Sequence, residues 1–386
     1  MYDMIVVGAR CAGAVTAMLL ARAGRKVLLL DRAPFPSDTV STHYVHQPGL
    51  AHLHRWGLLD ELLATGCPTL TRVSLSVSDA HLTGPAPSLG AVAGGCAPRR
   101  HILDHILVRA AVRAGAEFRP RTTVLDLHWQ DGVVAGIVHG TRHGTQHVER
   151  APLVIGADGR HSTVARLARA PYLHQDPELT RTYYAYWSGL ANQGLRFYLT
   201  RGAGTACMPT HDGLTVIPVA FSRTGHPIAN SDRQRTYLGT LGQTSLDLER
   251  QLADARQEGP LFCCSDQPNF FRRAHGPGWA LVGDAAHTKD PCWARGITDA
   301  FTQASMLADS LDMPLADHRR VGKALTDYAR RLVHDFTPAY EGTLFAARMD
   351  NDRRSRELAD NQHDPAYVQR CFRGFAGIPE PAPAQA

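Results

Sequence analysis

Apolar and polar positions divide the chain into segments of recognisable period. Asp3 to Val7 is a short run rich in β-branched side chains and reads as a strand, and Ala14 to Ala23 is an apolar stretch of helical length closed by Gly24. A second apolar run within Lys26 to Leu30 ends at Asp31. Leu153 to Ile155 and Trp279 to Val282 are further short apolar strands, and a helical pattern covers Ile297 to Leu311. Thr182–Leu190, Leu195–Thr200 and Leu214–Phe221 are strand-like runs suited to an antiparallel sheet, and Ser245–Gln257 reads as an exposed helix. In residues 66–98, Val73, Leu75 and Val77 alternate as one strand of a pair over a Gly/Pro-rich loop. Val321–Phe336 and Leu344–Leu358 read as charge-rich helices, and Pro379–Ala386 as a mobile tail.

The turn between the first strand and helix is Gly8-Ala9-Arg10-Cys11-Ala12-Gly13. Strand, glycine turn, helix, strand and acid follow in the order of a dinucleotide-binding βαβ unit. Gly8 and Gly13 let backbone approach a pyrophosphate, and Cys11 and Ala12 open a helix whose free N–H groups favour negative charge. Asp31, followed by Arg32, is placed to accept from ribose hydroxyls. Arg10 stands where the GxGxxG pattern expects glycine. Its guanidinium either splays outward to reach a phosphate or blocks the approach, and the intact remainder of the unit favours the first. The competing reading is a buried βαβ unit with no ligand.

Two later motifs bear on that choice. Leu153-Val154-Ile155 runs into Gly156-Ala157-Asp158-Gly159-Arg160, and Trp279-Ala280-Leu281-Val282 runs into Gly283-Asp284-Ala285-Ala286-His287, then Pro291 and Gly296. With these three motifs in this order, the sequence resembles the FAD-dependent monooxygenases of the aromatic-hydroxylase type over about 1–165 and 270–312, while 172–268 shows no usable likeness. The resemblance implies FAD as cofactor, with Asp284 of the Gly283-Asp284 pair on the ribityl chain and Asp158 and Gly159 on FAD or nicotinamide. It also implies an FAD contact for Arg100, which opens the Arg-x-x-Leu-x-x-x-Leu pattern of Arg100, Leu103 and Leu107. The local alternatives are a helix cap for Asp158, a turn role for Asp284 and a solvated helix position for Arg100. Pro291, Gly296 and Ile297 would set a helix N-terminus against the N1–C2=O edge of reduced flavin. Many relatives have Gly-x-Gly before that helix; this chain has Ala294-Arg295-Gly296 after Trp293, a ring that either stacks near the flavin or fills a core gap.

Composition narrows the partners. The 386 residues are 44% hydrophobic, enough for one large or two ordinary domains. Basic side chains number 41 against 36 acidic ones, with no block of like charge, so no nucleic-acid partner is called for. Eight cysteines form no CxxC pair and no metal-like spacing with histidine, which points to a reducing cytoplasm and no metal site. The start of the chain lacks the pattern of a secretory signal, and no stretch approaches the roughly 20 apolar residues of a membrane span. All but three basic residues are arginine, the exceptions being Lys26, Lys289 and Lys323.

The fold class expected is α/β: a Rossmann-like FAD-binding domain with an inserted antiparallel β-sheet substrate domain and C-terminal helices. The boundaries are 1–170 for the first part of the FAD domain, with 66–98 contributing to the substrate domain, 171–268 for the substrate domain, 269–312 for the second part, and 313–386 for the C-terminal helices. Gly276-Pro277-Gly278 precedes a strand and so reads as a turn, which leaves no second nicotinamide domain; NAD(P)H would bind transiently on the FAD domain. The resemblance implies that NAD(P)H and O2 support oxygen transfer through a flavin C4a-hydroperoxide to an aromatic or polycyclic natural-product-like small molecule, by hydroxylation or epoxidation. His43 and Tyr186 are the candidate catalytic side chains, with Tyr183, Tyr184 and Trp187 in the same aromatic run and His211 and His287 as further candidates for a base. Alternatives are a geranylgeranyl-reductase-like enzyme, an oxidase, a flavin halogenase, for which no Trp-x-Trp-x-Ile element is present, and a non-enzymatic flavoprotein.

Overall fold

The computed structural model describes residues 1–140, 144–223 and 232–379, with backbone alone at 352 and 353. Of the tail expected to be mobile, residues 380–386 lie outside the described residues.

Met4–Val7, buried at every position, is an inner strand of a six-stranded sheet whose spatial order is 275–276, 279–281, 153–156, 4–7, 27–30 and 117–119. All pairings are parallel except the outer 275–276 hairpin. Strands covered on both faces must be apolar throughout, which is why 4–7, 27–30, 153–156 and 279–281, buried at every position, read as short continuous runs, while the edges 117–119 and 275–276 are partly exposed and carry polar residues. Helix Cys11–Arg22 packs against helices Arg100–Arg113 and Gly296–Ser310. Its many small residues are buried nearly all round, which lets both neighbours approach.

A second, seven-stranded sheet runs in the order 256–264, 180–188, 215–222, 203–209, 195–200, 72–77 and 80–85. It is antiparallel except where Leu195–Thr200 lies parallel to Arg72–Val77, because the hairpin from residues 72–85 joins as an edge. Two of its strands, Ala203–Pro209 and Arg256–Cys264, were absent from the sequence expectation. The supposed helix Ser245–Gln257 is shorter, Leu246–Ala253, with the Ser245 hydroxyl accepting from the Leu248 amide at 3.1 Å, and the chain turns into a half-exposed strand at Arg256. Polar residues on an edge strand hide its period, so the helical pattern ran on too far.

The C-terminal region also differs. One helix, His318–Ala347, runs through Pro338 where two separate helices were expected, and it is followed by Asp352–Asn361 and Pro365–Ala376. Leu358, Val368 and Phe372 of the last two pack on the face of the seven-stranded sheet that carries Tyr184 and Tyr186; helices Arg233–Thr244 and Leu246–Ala253 cover the other face. No helix among the described residues is long and apolar enough to cross a membrane.

Candidate functional site

The three sequence motifs meet at the ends of the parallel strands. Gly8 has φ +100°, and a side chain there would strike the Ala157 carbonyl at 2.5 Å, so the glycine turn and the Asp158-Gly159 turn are in backbone contact. Gly283, at φ +66°, lies against the Ala12 methyl, where a Cβ would stand 2.6 Å away. Asp31 ends the second strand and accepts from the Ala9 amide and the Ala33 amide, each at 2.8 Å, so its carboxylate fixes the loop beside the glycine turn. Arg32, next to it, is exposed. The helix Cys11–Arg22 has no side chain capping its first turn and no acid within it, which leaves the Cys11 and Ala12 end with free N–H groups and positive potential.

Arg10 does not splay into that space. Its guanidinium turns to Asp104 at 2.7 Å, to the Ser37 carbonyl at 3.3 Å and to the Ser37 hydroxyl and Asp38 carbonyl at 3.2 Å each, over the Phe35 ring. Asp104 is fully buried and also holds the buried Arg100, whose Nη2 donates to both its oxygens at 3.1 Å. The Cys11 thiol donates to the same carboxylate at 3.4 Å. Arg100 is thus a paired interior residue rather than a solvated one. The departure at Arg10 is explained by Asp104, which sits one helical turn after Arg100.

Asp158 caps the short helix after it: its carboxylate accepts from the Thr163 amide at 2.6 Å, the Val164 amide at 3.2 Å and the Ser162 hydroxyl at 2.5 Å. Gly159 adopts φ +81° with open space around it. Asp284 is different, since it has no hydrogen-bond partner among the described residues. It is accessible to solvent yet crowded by protein, and the crowding raises its carboxyl above the usual range while Arg160, Lys289 and Arg100 pull it back. Pro291 opens a tight turn, Ala294 sits at φ +51°, and helix Gly296–Ser310 begins with no side-chain cap; Ile297 is buried behind Gly296. Within this turn Lys289 and Asp299 form a buried ion pair, with Arg295 3.8 Å from the same carboxylate.

Two uncapped helix starts, a glycine turn in backbone contact with the Asp-Gly turn, and an unpartnered carboxylate fit an FAD. The Cys11–Gly13 turn would receive its pyrophosphate, Asp284 its ribityl hydroxyls, and the Gly296 helix start the electron-rich edge of its ring.

His43 is fully buried at φ +65°, with Nε2 2.5 Å from the Tyr186 hydroxyl and Nδ1 unpaired. Burial, aided by the Arg100 and Arg99 cations, pushes the imidazole down to about 3, so it is neutral at ordinary pH. Burial pushes the Tyr186 phenol up to about 12. Tyr184 shares this face, whereas Tyr183 and Trp187 point through the sheet to the other one, where Trp187 donates to the Tyr237 hydroxyl at 2.9 Å. Strand alternation forbids Tyr186 and Trp187 from facing one cavity. The other two histidines are interior: His211 receives the Arg99 amide on Nδ1 at 3.2 Å and pairs with the Thr65 hydroxyl at 2.8 Å, and His287 packs against Phe271 and Phe336.

Beside Thr42 lies a cavity with about 710 Å³ of space not filled by protein, part of it open to solvent. Its walls are the seven-stranded sheet (Phe197, Leu199, Met208), the turn Pro291–Ala294, and Met349 and Arg354 of the C-terminal region. Trp293 lines it and packs against Phe375, ring centroids 5.8 Å apart; Phe375 in turn meets His46 and Phe197. Sequence reasoning missed Asp104, Arg354 and Phe375, none of which lies in a motif. Of these, only Asp104 left a signal, a lone acid four residues after Arg100.

A family model described as FAD binding domain matches residues 1–334. The chain therefore belongs to the FAD-binding domain family, and it is an FAD-dependent oxidoreductase. It is 25% identical over 315 residues to the 6-methylpretetramide 4-monooxygenase of Streptomyces rimosus, covering 78% of this chain and 73% of that protein. It is likewise 25% identical over 332 residues to the digeranylgeranylglycerophospholipid reductase of Methanosarcina mazei, covering 80% and 74%. The solved structure of the myxobacterial chondrochloren halogenase superposes with a TM-score of 0.80 at 19% identity, covering 99% of this chain and 98% of that one, which is a likeness of fold.

Proposed function

We propose that this oxidoreductase is an NAD(P)H-dependent monooxygenase that hydroxylates or epoxidises an aromatic or polycyclic small molecule. The observation that carries the reading is the largely apolar cavity bordered by Thr42 and the Pro291–Ala294 turn. Bound FAD would supply the redox chemistry and the activation of oxygen. The protein's part is to position and to keep water out: Phe197, Leu199, Met208 and Trp293 present apolar surface to a substrate. The uncapped start of helix Gly296–Ser310 would stabilise negative charge on the ring edge set against it. The Tyr186 hydroxyl, hydrogen-bonded to the neutral His43, would orient a phenolic substrate, while an imidazole pushed down to about 3 is too weak a base to hold the phenol's proton. The inserted segment 171–268 together with 66–98 serves as the substrate domain in this reading, between FAD-domain parts 1–170 and 269–312, and the C-terminal helices within 318–376 pack beside them.

The test is turnover of FAD-loaded protein with NAD(P)H and isotope-labelled dioxygen across a panel of phenolic and polycyclic compounds. Label in a product supports the proposal. A reduced alkene without label assigns the chain to the reductases, and a halogenated product that requires added halide assigns it to the halogenases; either outcome overturns monooxygenation.

A further inference from the structure

Arg354 is the only charged side chain among the described residues lining the cavity. Its guanidinium stands 5.9 Å from the centroid of the Trp293 ring. It makes no hydrogen bond and no ion pair among the described residues. Glu357, one turn along the same helix, is engaged elsewhere and accepts from the Tyr367 hydroxyl at 3.0 Å.

The arginines buried outright, Arg100, Arg196 and Arg272, have partners. Arg100 has Asp104, and Arg272 donates to the Tyr172 hydroxyl at 2.6 Å while lying over the Tyr172 and Phe270 rings. Arg354 is half-buried, and a guanidinium partly withdrawn from water with neither acid nor acceptor beside it leaves its donors to solvent or to a ligand. Burial pulls Arg354 below its ordinary value, and the neighbouring Cys371, Tyr367, Cys292 and Glu357 offset this only in part. Such a group is stable when a planar anion completes its two-pronged donor set.

We propose that the cavity is built for a ring-bearing carboxylic acid, with Arg354 binding the carboxylate and Trp293, Phe197 and Met208 packing against the rings. This deepens the proposed function by taking the cavity as the substrate site, but it requires no particular reaction there. Arg354 is then the specificity determinant, selecting acids over neutral molecules of the same shape, since a neutral ligand would displace water from the guanidinium without supplying a counter-charge.

The experiment is equilibrium binding, by calorimetry, to the full-length FAD-loaded protein. The probes are matched pairs: benzoate with benzamide, naphthoate with naphthamide, and anthracene carboxylate with its amide. At least one acid should bind tenfold or more tighter than its amide, about the effect of one charge-assisted hydrogen bond. Arg354→Gln should remove that ratio while leaving the amide's affinity within about threefold, and Arg354→Lys should keep an intermediate ratio. FAD content and melting temperature equal to wild type qualify each variant, and Arg354→Lys alone decides the matter if the glutamine variant does not fold. Equal affinity for acid and amide, no binding of any of the three acids, or an acid preference that survives the substitution overturns the proposal. Acid-selective, Arg354-dependent binding in a protein that incorporates no labelled oxygen keeps this inference and removes monooxygenation; labelled product without acid selectivity does the reverse.

Discussion

The Nε2 of His43 and the hydroxyl of Tyr186 lie 2.5 Å apart although 143 residues separate them in the chain. The contact joins the loop after the second parallel strand to the seven-stranded sheet, and it buries an imidazole with no carboxylate to hold a proton on it.

The acid side of the stability profile follows from that burial. In the unfolded chain His43 titrates near 6.5, while in the folded chain it is held down to about 3. Between those values the unfolded state binds the extra proton, so stability is complete above pH 6.5 and falls as the pH is lowered. The slope per such group is about 1.4 kcal/mol for each pH unit. His46, pushed down to about 3 by burial, acts in the same direction. Urea unfolding between pH 5 and 7 should show a loss of stability toward acid that is shallower by about one proton in His43→Gln. An unchanged slope in that variant would mean His43 is not the buried neutral group described.

Asp284 and Asp158, two acids in glycine-containing turns, should separate cleanly. Asp284 has no hydrogen-bond partner among the described residues, so Asp284→Ala should leave melting nearly unchanged and weaken FAD by about 1.5–3 kcal/mol, the worth of a hydrogen bond to a charged group. Asp158 caps the turn Thr163–Leu167, so Asp158→Ala should lower stability by about 1 kcal/mol or more. Melting temperature and FAD titration on both variants decide it, and identical behaviour of the two would contradict the assignment.

What the sequence made legible were features whose partners lie a few positions away. The glycine turn, the acid ending the second strand, and the Pro291–Gly296 helix entry announce themselves because backbone conformation and helix starts are local. The four inner parallel strands were legible because burial on both faces leaves only apolar residues, whereas the edge strand Glu117–Arg119, partly exposed and polar, was not. Arg354 and Phe375 were not, because their meaning depends on C-terminal helices folding back over the Pro291–Ala294 turn, which no short pattern encodes. Tyr183 and Trp187 belong to the same aromatic run as Tyr186, yet strand alternation sends both to the opposite face of the sheet. The strand Arg256–Cys264 was missed because a half-exposed edge carries polar residues on both sides of the pleat.

Asp31 holds its loop through two backbone amides, Ala9 and Ala33, one on each oxygen. Asparagine can replace one acceptor but not both, whereas alanine replaces neither. Asp31→Asn should therefore cost roughly 1 kcal/mol and Asp31→Ala roughly twice that, with FAD affinity falling in the same order. Equal stability and equal FAD affinity in all three proteins would show that the carboxylate supports neither the loop nor the cofactor.

The unusual arginine in the glycine turn makes its own prediction, because Asp104 serves two cations at once. Removing Arg10 leaves the Arg100–Asp104 pair intact, and Arg10 keeps some access to water. Arg10→Gly should then cost only about 1 kcal/mol, and it also restores the glycine that the turn's pattern expects. Removing the acid instead strands Arg100 in the interior with no counter-charge and frees the Cys11 thiol and Arg10 of their shared acceptor. Asp104→Ala should cost about 3–5 kcal/mol, the range for breaking a buried pair from one side. Because Arg100 also lies close enough to Asp284 to feel its charge, an unpaired Arg100 should swing toward that carboxylate. Added FAD would then find Asp284 occupied. The double variant Arg100→Leu/Asp104→Leu removes both charges together and should recover most of the lost stability, since neither ion is left alone. Denaturant unfolding of these three variants, with FAD titration of those that fold, tests the scheme. If Asp104→Ala proves no worse than Arg10→Gly, the carboxylate is not what holds the two guanidinium groups in place.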